Sequence, residues 1–328
     1  MNETLRPTGP RLSLKHFLPG LLIMVVSMVI PLGYLVAPAY LAYAAFKGGS
    51  AVLLPLGLLG FAAALAMYGL EGGIYMSLLM LLPAILLILL YKKKTNPVYT
   101  FGAISGVCIL LLYLMICLEG ILSGEGAFAP IVAWMEETFA ASRELLTALP
   151  EGYGNMTRAE FFEFFDRYTY ALTESIATII VPSICQVAMV LGLTNVLFFQ
   201  RFARSLPGVE PLPPFRSWKI PGELTNGLFF LLVASLVLEL FDAPFAEGVS
   251  ATVNIIVGFP LTIQGLCLID HLIHARSKHK ARTRVLVFLC IGILYYVLRT
   301  SIMLLGFMEQ LFHLREKRME PPPQMPKF

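Results

Sequence analysis

Charge is what this chain has least of. Aspartate, glutamate, lysine and arginine make up 14% of its 328 residues, against 57% hydrophobic residues. A soluble domain averages about 25% charged residues, so a water-facing surface over most of the chain is excluded. Cysteine is sparse and unpatterned. Cys108, Cys117, Cys185, Cys267 and Cys290 all sit in apolar blocks with no CxxC spacing, and they read as small buried apolar residues rather than a disulfide or metal framework. No Walker A loop, GxSxG elbow or HExxH helix occurs, so nucleotide-driven, hydrolase and zinc-protease chemistries lack their motifs. Any uphill transport would draw on an ion gradient or a partner. No cofactor, metal or nucleic acid is expected, and the chain reads as not an enzyme. Arg6, Arg11 and Lys15 precede an apolar block, but no clean small-residue cleavage site follows, so no cleavable signal peptide is read.

Long apolar blocks are what the chain does have. About 20 apolar residues cross a bilayer core of about 30 Å. Backbone polar groups find no water in lipid, so spans must be helices or a closed barrel. A barrel would alternate in strands of about 10 residues, and these blocks are continuous. The expected fold is an all-α polytopic transmembrane helical bundle of eight to nine spans, with amphipathic helices in one external loop. Spans are expected at 17–32, 34–46, 51–69, 74–91, 98–120, 171–199, 224–241, 250–273 and 284–309. The block Phe17 to Phe46 is too long for one untilted span, and Pro31, Gly33 and Pro38 divide it. The expected organisation is a cytoplasmic tail over 1–16, N-terminal transmembrane helices over 17–120, an external acidic amphipathic segment over 121–170, C-terminal transmembrane helices over 171–310, and a tail over 311–328.

Loop charges support this order. Lys92, Lys93 and Lys94 form one basic turn. Arg201, Arg204, Arg216 and Lys219 fill the next basic connection, and Arg276, Lys278, Lys280, Arg282 and Arg284 another. Glu71, the 121–170 segment, then Asp242 and Glu247 alternate with them. The positive-inside rule puts the basic loops and the N-terminus in the cytoplasm of a bacterial inner membrane. Nine spans leave Arg315, Lys317 and Arg318 on the other side. Eight spans with one re-entrant segment is the rival count.

Within 121–170, Ile131, Trp134, Met135, Phe139, Leu145 and Leu146 approximate a helical apolar face. Thr157 and Glu160 have the spacing of a capping box. Phe161, Phe162, Phe164, Phe165, Tyr168 and Tyr170 follow. Two readings stand: interfacial anchoring, or a lid over an outward-facing cavity. Asn155-Met-Thr157 has the glycosylation spacing.

Hydrophilic side chains inside apolar blocks are expensive and mark candidate sites. Arg299 lies mid-block in 284–309 and calls for a carboxylate partner. Glu119, Glu174, Glu239 and Asp242 are the candidates. Asn254 and Gln264 share the 250–273 block, with Gly258 and Pro260 between them. A proline there can open a helix and expose carbonyls, a transporter device for binding solute, or be tolerated beside interhelical hydrogen bonds. Gln186 and Asn195, with Pro182, invite the same two readings. Asp270, His271 and His274 offer a metal or acid–base set, or a capped and solvated helix end. Gly102-Ala-Ile-Ser-Gly106 has the GxxxG spacing of close helix approach.

The second half carries a further pattern. Pro213-Pro214-Phe215-Arg-Ser-Trp218-Lys-Ile-Pro221 precedes a span, Asn254 precedes Gln264-Gly265-Leu266 by ten residues, and the last block closes Gly306-Phe-Met-Glu309-Gln-Leu-Phe312-His-Leu-Arg315. With Pro31-Leu-Gly33 and Pro38 early on, these residues resemble the YybS-like family of predicted bacterial membrane proteins, a domain of unknown function. That family is distantly similar to the S components of energy-coupling-factor transporters. The resemblance implies a helical bundle that captures a small solute and docks onto a membrane partner protein. Read from the residues, Pro213 and Pro214 stiffen their loop, Trp218 anchors at an interface, and Arg216 and Lys219 meet anionic headgroups or a partner.

Two functional readings result. One is a membrane protein that binds or transports a small-molecule solute, with Asn254, Gln264 and Arg299 lining its site. The other is a non-transporting scaffold that recruits partners through its basic loops. An intramembrane enzyme acting on lipid is a third, with the Asp270–His271–His274 group as its eligible residues.

Overall fold

The computed structural model describes residues 14–147, 157–204, 213–243, 245–277 and 280–317. Among them the secondary structure is helical throughout, and the chain is a polytopic helical membrane protein. Five of its helices are long and apolar enough to cross a bilayer. The chain divides into two compact units, Met1–Val209 and Glu210–Phe328. The segment 171–199, expected with the C-terminal helices, belongs to the first unit. Arg6, Arg11, Glu151, Asn155, Lys278 and Arg318 fall outside the described residues.

In the first unit, α1 (Leu14–Val29) stops just before Pro31. Proline disfavours helix in the residue before it, and Ile30 is extended (φ −115°, ψ 108°). A 3-10 turn over Pro31–Leu35 leads into α2 (Ala37–Gly48). The first apolar block therefore divides where its prolines and Gly33 predict. Gly33 lies against Ser27 with no room for a side chain.

The next helix, α3 (Ser50–Lys92), breaks at Gly69 (φ 71°, ψ −171°), a conformation open to glycine and strained for other residues. A Cβ on Gly57 would touch Leu81, and one on Gly73 would touch Leu65. Both pairs are symmetric about residue 69, so α3 is two antiparallel limbs matching the blocks 51–69 and 74–91. Each limb has on the order of 20 residues, enough to cross the apolar core.

Next comes α4 (Pro97–Ser123), with Pro97 at its first position and the Asn96 side chain accepting from Val98 N at 2.9 Å. It packs on α7 (Ile176–Ala203), where Gly192 abuts Ser105 and the Phe101 carbonyl. Gly102 and Gly106, by contrast, have nothing within 4 Å of a Cβ. Gly192, which lies in no GxxxG pattern, supplies the close approach instead.

Between them, α5 (Ala129–Thr147) and α6 (Arg158–Glu174) have no buried residues. They meet through Phe139–Phe165 (6.4 Å between ring centres) and Arg143–Asp166 (2.8 Å). The capping box is present: Glu160 accepts from Thr157 N at 2.8 Å, and Thr157 Oγ1 accepts from Glu160 N at 3.3 Å. The block expected from 171 begins instead at 176, because α6 runs through Glu174 and Ser175 leaves the helix (φ −84°, ψ 2°).

In the second unit, α8 (Gly222–Leu240) and α9 (Ala246–Arg276) form a helical pair. Pro260 does not open α9, which is continuous past it. The Thr262 hydroxyl donates to Gly258 O at 2.7 Å in the turn that holds the proline.

The block 284–309, expected as one span, is two helices. These are α10 (Lys280–Ile293) and α11 (Tyr295–Phe312), separated at Leu294 (φ −97°, ψ 18°). Near the start, Arg284 pairs with Asp270 at 2.9 Å, and Phe288 lies 6.3 Å from Phe215. Beyond the break, Gln310 donates to Thr225 Oγ1 at 2.6 Å and Ile220 O at 3.2 Å, and Arg315 donates to Arg216 O at 2.8 Å. Residues 288 and 315 thus both lie beside 215–216. A straight helix between them would separate its ends by roughly 40 Å, so the chain must reverse. Within the second unit α10 and α11 therefore form a helical hairpin. It brings Arg315 back to the end of the unit that carries Arg216, Lys219 and Arg276.

Candidate functional site

At that end of the second unit the chain builds a rigid loop. Pro213 and Pro214 restrict the backbone. A 3-10 turn over Phe215–Ser217 follows, with Ser217 Oγ donating to Pro214 O at 2.7 Å. The Trp218 indole N–H donates to Pro213 O at 2.8 Å, and its ring meets Phe215 edge to face at 5.4 Å. The loop is thus closed on itself, and it fixes the backbone from which Arg216 projects.

Helix α11 is set against α9 by two glycines. Gly265 abuts the Ile302 carbonyl, and Gly306 abuts the Leu261 carbonyl. Neither contact leaves room for a Cβ. Past Phe312, His313 takes a left-handed conformation (φ 49°, ψ 47°). That turn folds Arg315 back onto Glu309. Its Nε donates to Glu309 Oε1 at 2.6 Å and its backbone N to Glu309 Oε2 at 3.2 Å. The pair is sealed, with side chains 3% and 2% exposed. Nη1 of Arg315 donates to Arg216 O. Its Nη2 is buried with no hydrogen-bond partner.

These parts enclose a cavity of about 310 Å³. Arg216, Lys219, His271, His274 and Arg315 are among the residues that line it. Arg216 Nη1 lies 3.3 Å from His274 Nδ1. A guanidinium only donates, so the ring nitrogen accepts. Arg315 is already paired with Glu309, and the surface that faces the cavity is mostly apolar.

The expected family residues converge in this unit. Pro213, Pro214, Phe215 and Trp218 form the loop, Gly265 and Gly306 the helix crossing, and Glu309 and Arg315 the buried pair. The expected solute residues do not share this cavity. Gln264 is buried in α9 (3% exposed), Asn254 is exposed on the same helix, and Arg299 is half-buried on α11. Arg299 finds no ion-pair partner among the described residues of the second unit. Asp270, His271 and His274 do not converge as a triad. Asp270 turns to Arg284, whereas the two histidines face the cavity. No metal-competent cluster of histidine, cysteine and carboxylate occurs among the described residues. Sequence reasoning named Arg216, Lys219 and Arg315 but not their meeting. The signal that could have joined them was the basic tail left on the wrong side by nine spans.

A second cavity, about 500 Å³, lies between α5 and α6. Its Arg143 and Asp166 already neutralise each other. The cavity in the second unit, lined by the motif residue Arg315, is the stronger candidate.

Comparison with known proteins agrees with the fold. Residues 17–309 match the family described as "Predicted membrane protein (DUF2232)". The chain is 30% identical over 114 residues to "Uncharacterized protein YybS" of Bacillus subtilis (strain 168). That alignment spans 35% of this chain and 36% of the relative. No solved structure matches. The chain belongs to the DUF2232 family of predicted membrane proteins.

Proposed function

We propose that this member of the family is a non-enzymatic binding protein of the bacterial inner membrane. It holds a small solute in the cavity between the 213–219 loop and the ends of α9 and α11. One observation carries the reading: a preformed cavity of about 310 Å³, mostly apolar in its lining, at the end of helices long and apolar enough to cross lipid. Ligand sites are concave, largely preformed and provided with a few placed polar groups. The role resembles that of transporter S components, with a membrane partner supplying any energy. The site differs from the Asn254–Gln264–Arg299 set, since Asn254 faces outward. Asp270, the carboxylate an enzyme would need beside His271 and His274, is held by Arg284. The basic end is read as cytoplasmic, together with the N-terminus.

The test is chemical protection. Ser217→Cys is introduced with Cys290→Ser, and maleimide labelling of purified protein is followed while vitamins, divalent metals and small anions are added. A bound solute slows labelling and raises the unfolding temperature. If no compound changes either, and mass spectrometry finds nothing retained with the protein, the binding reading is lost. In-cell crosslinking that recovers envelope or ribosome-associated proteins instead of transporter subunits would favour the scaffold.

A further inference from the structure

The hairpin of α5 and α6 carries apolar surface that neither helix buries. We infer that this surface lies on the membrane, with the rings of Trp134, Phe164 and Tyr168 seated among lipid headgroups.

Phe139 meets Phe165, Arg143 lies over the Phe162 ring, and Arg158 donates to Thr147 O, so the two helices run antiparallel. Beside that contact is the groove of about 500 Å³, lined by Glu136, Arg143, Asp166 and Thr169. Each residue turns a helix by about 100°. Counted from Phe139, Glu136, Arg143 and Glu144 fall on the groove's side of α5, whereas Ile131, Trp134, Thr138 and Leu145 fall on the other. Counted from Phe165, Asp166 and Thr169 fall on the groove's side of α6, whereas Phe161, Phe164, Tyr168 and Leu172 fall on the other. In an antiparallel pair, offsets of the same hand lie on one side, so the two stripes make a single face. Trp134, Leu145, Phe164 and Tyr168 are each more than half exposed, and Phe164 stacks on Tyr168 at 6.2 Å. The hydroxyls on this side are engaged within α5: Thr138 donates to Trp134 O and Ser142 to Thr138 O. Neither therefore needs water. Glu160, which flanks the face in the first turn of α6, accepts from the Thr157 cap.

The position of the hairpin argues for lipid as the occupant. Both α4 and the segment Thr178–Ala203 of α7 are long and apolar enough to cross a bilayer. The short linker 124–128 joins α4 to α5, and Ser175 alone joins α6 to α7. Gly120 abuts the Gly126 carbonyl and Pro130, so the chain folds back onto the end of α4. Exposed Ile121 and Leu122 on α4 and Ile179 on α7 continue the apolar surface into the spans. Tryptophan and tyrosine are enriched at headgroup depth, and an amphipathic helix buries its apolar side there. Charge does not hold the hairpin down. Its helices carry seven acids against three arginines, so the attachment is apolar and owes nothing to anionic lipid.

The experiment uses the full chain in phosphatidylcholine nanodiscs. Emission of Trp134 is the difference between the parent and Trp134→Phe, which reports Trp218 alone. Lipid brominated close to the headgroup should quench most of that emission, lipid brominated near the chain ends should quench less, and iodide in the buffer should barely reach it. Added phosphatidylglycerol or salt should change none of this. Phe164→Glu, a charge on the same face, should move Trp134 toward iodide and away from bromine. Ala140→Glu, in the groove, should not.

Quenching by iodide without quenching by brominated lipid would put the face in water and overturn the inference. Shielding from both would mean that a protein surface covers it, which overturns it equally. Bromine quenching that appears only with phosphatidylglycerol would show electrostatic attachment and defeat the apolar account.

Discussion

Asn195 in the first unit and Arg315 in the second are nearly equally hidden, at 1% and 3% exposure. Their surroundings treat them differently. Asn195 Oδ1 accepts from Ala39 N at 2.9 Å, and Nδ2 donates to Leu191 O at 2.9 Å and Tyr34 O at 3.2 Å. It stands in for the cap that α2 lacks locally, since Val36 offers no side-chain oxygen. Every bond that matters is made within the unit. Arg315 leaves one donor over. A polar group fully spent on its own fold is structural.

The largest effect expected from breaking this contrast is at Glu309. Glu309→Ala leaves Arg315 charged, buried and unpaired, and should cost about 3–5 kcal/mol. The folded yield in detergent and the unfolding temperature both fall. Adding Arg315→Leu should restore much of that stability, because the buried charge is then gone. A stable Glu309→Ala single variant would show that the pair does not hold the corner together.

Next in size is the helix crossing. Gly306→Ala drives a Cβ into the Leu261 carbonyl, and overpacking of this kind costs about 1–3 kcal/mol. Gly102→Ala, on the open face of α4, should stay within about 0.5 kcal/mol of the parent. Equal losses at the two positions would mean that the GxxxG face is buried in use.

Asn195→Leu should cost about 1 kcal/mol, because polar contacts between membrane helices are individually modest. The loss should be confined to the first unit. Protection of Ser217→Cys by a bound solute should persist, which sharpens the division of labour.

The smallest effect is at α6. Glu160 accepts from the Thr157 backbone N–H and then from its hydroxyl, and both hold its carboxyl below the ordinary value of 4.5. A carboxyl lowered in the folded state stabilises above its unfolded value, and the gain is lost as pH falls through the folded value. Amides in the first turn of α6 should therefore exchange faster below pH about 4. Glu160→Gln should flatten that dependence.

The spans and caps were legible because their signals are local. Pro31 and Gly33 mark a chain break, Asn96-Pro97 a helix start, and Thr157…Glu160 a capping box, each within four residues. The reversal at Leu294 carries no such mark. Gly292 is nearby, but the decisive contacts, Phe288 with Phe215 and Gln310 with Thr225, join residues more than 70 apart. Arg299 misled for the same reason. Read as the centre of one long span it demanded a partner, while it belongs to the first turns of a returning helix. The candidate cavity was legible as residues and not as a place. Arg216, His274 and Arg315 meet only when α9, α11 and the proline loop are folded together.

The fold-back at Leu294 fixes the parity of the carboxyl half. From residue 222 onward the polypeptide leaves one end of the second unit and returns to it twice, once through α8 and α9 and once through α10 and α11. A reporter enzyme fused just after residue 317 should therefore give the same sidedness as one inserted near residue 219, whichever compartment that proves to be.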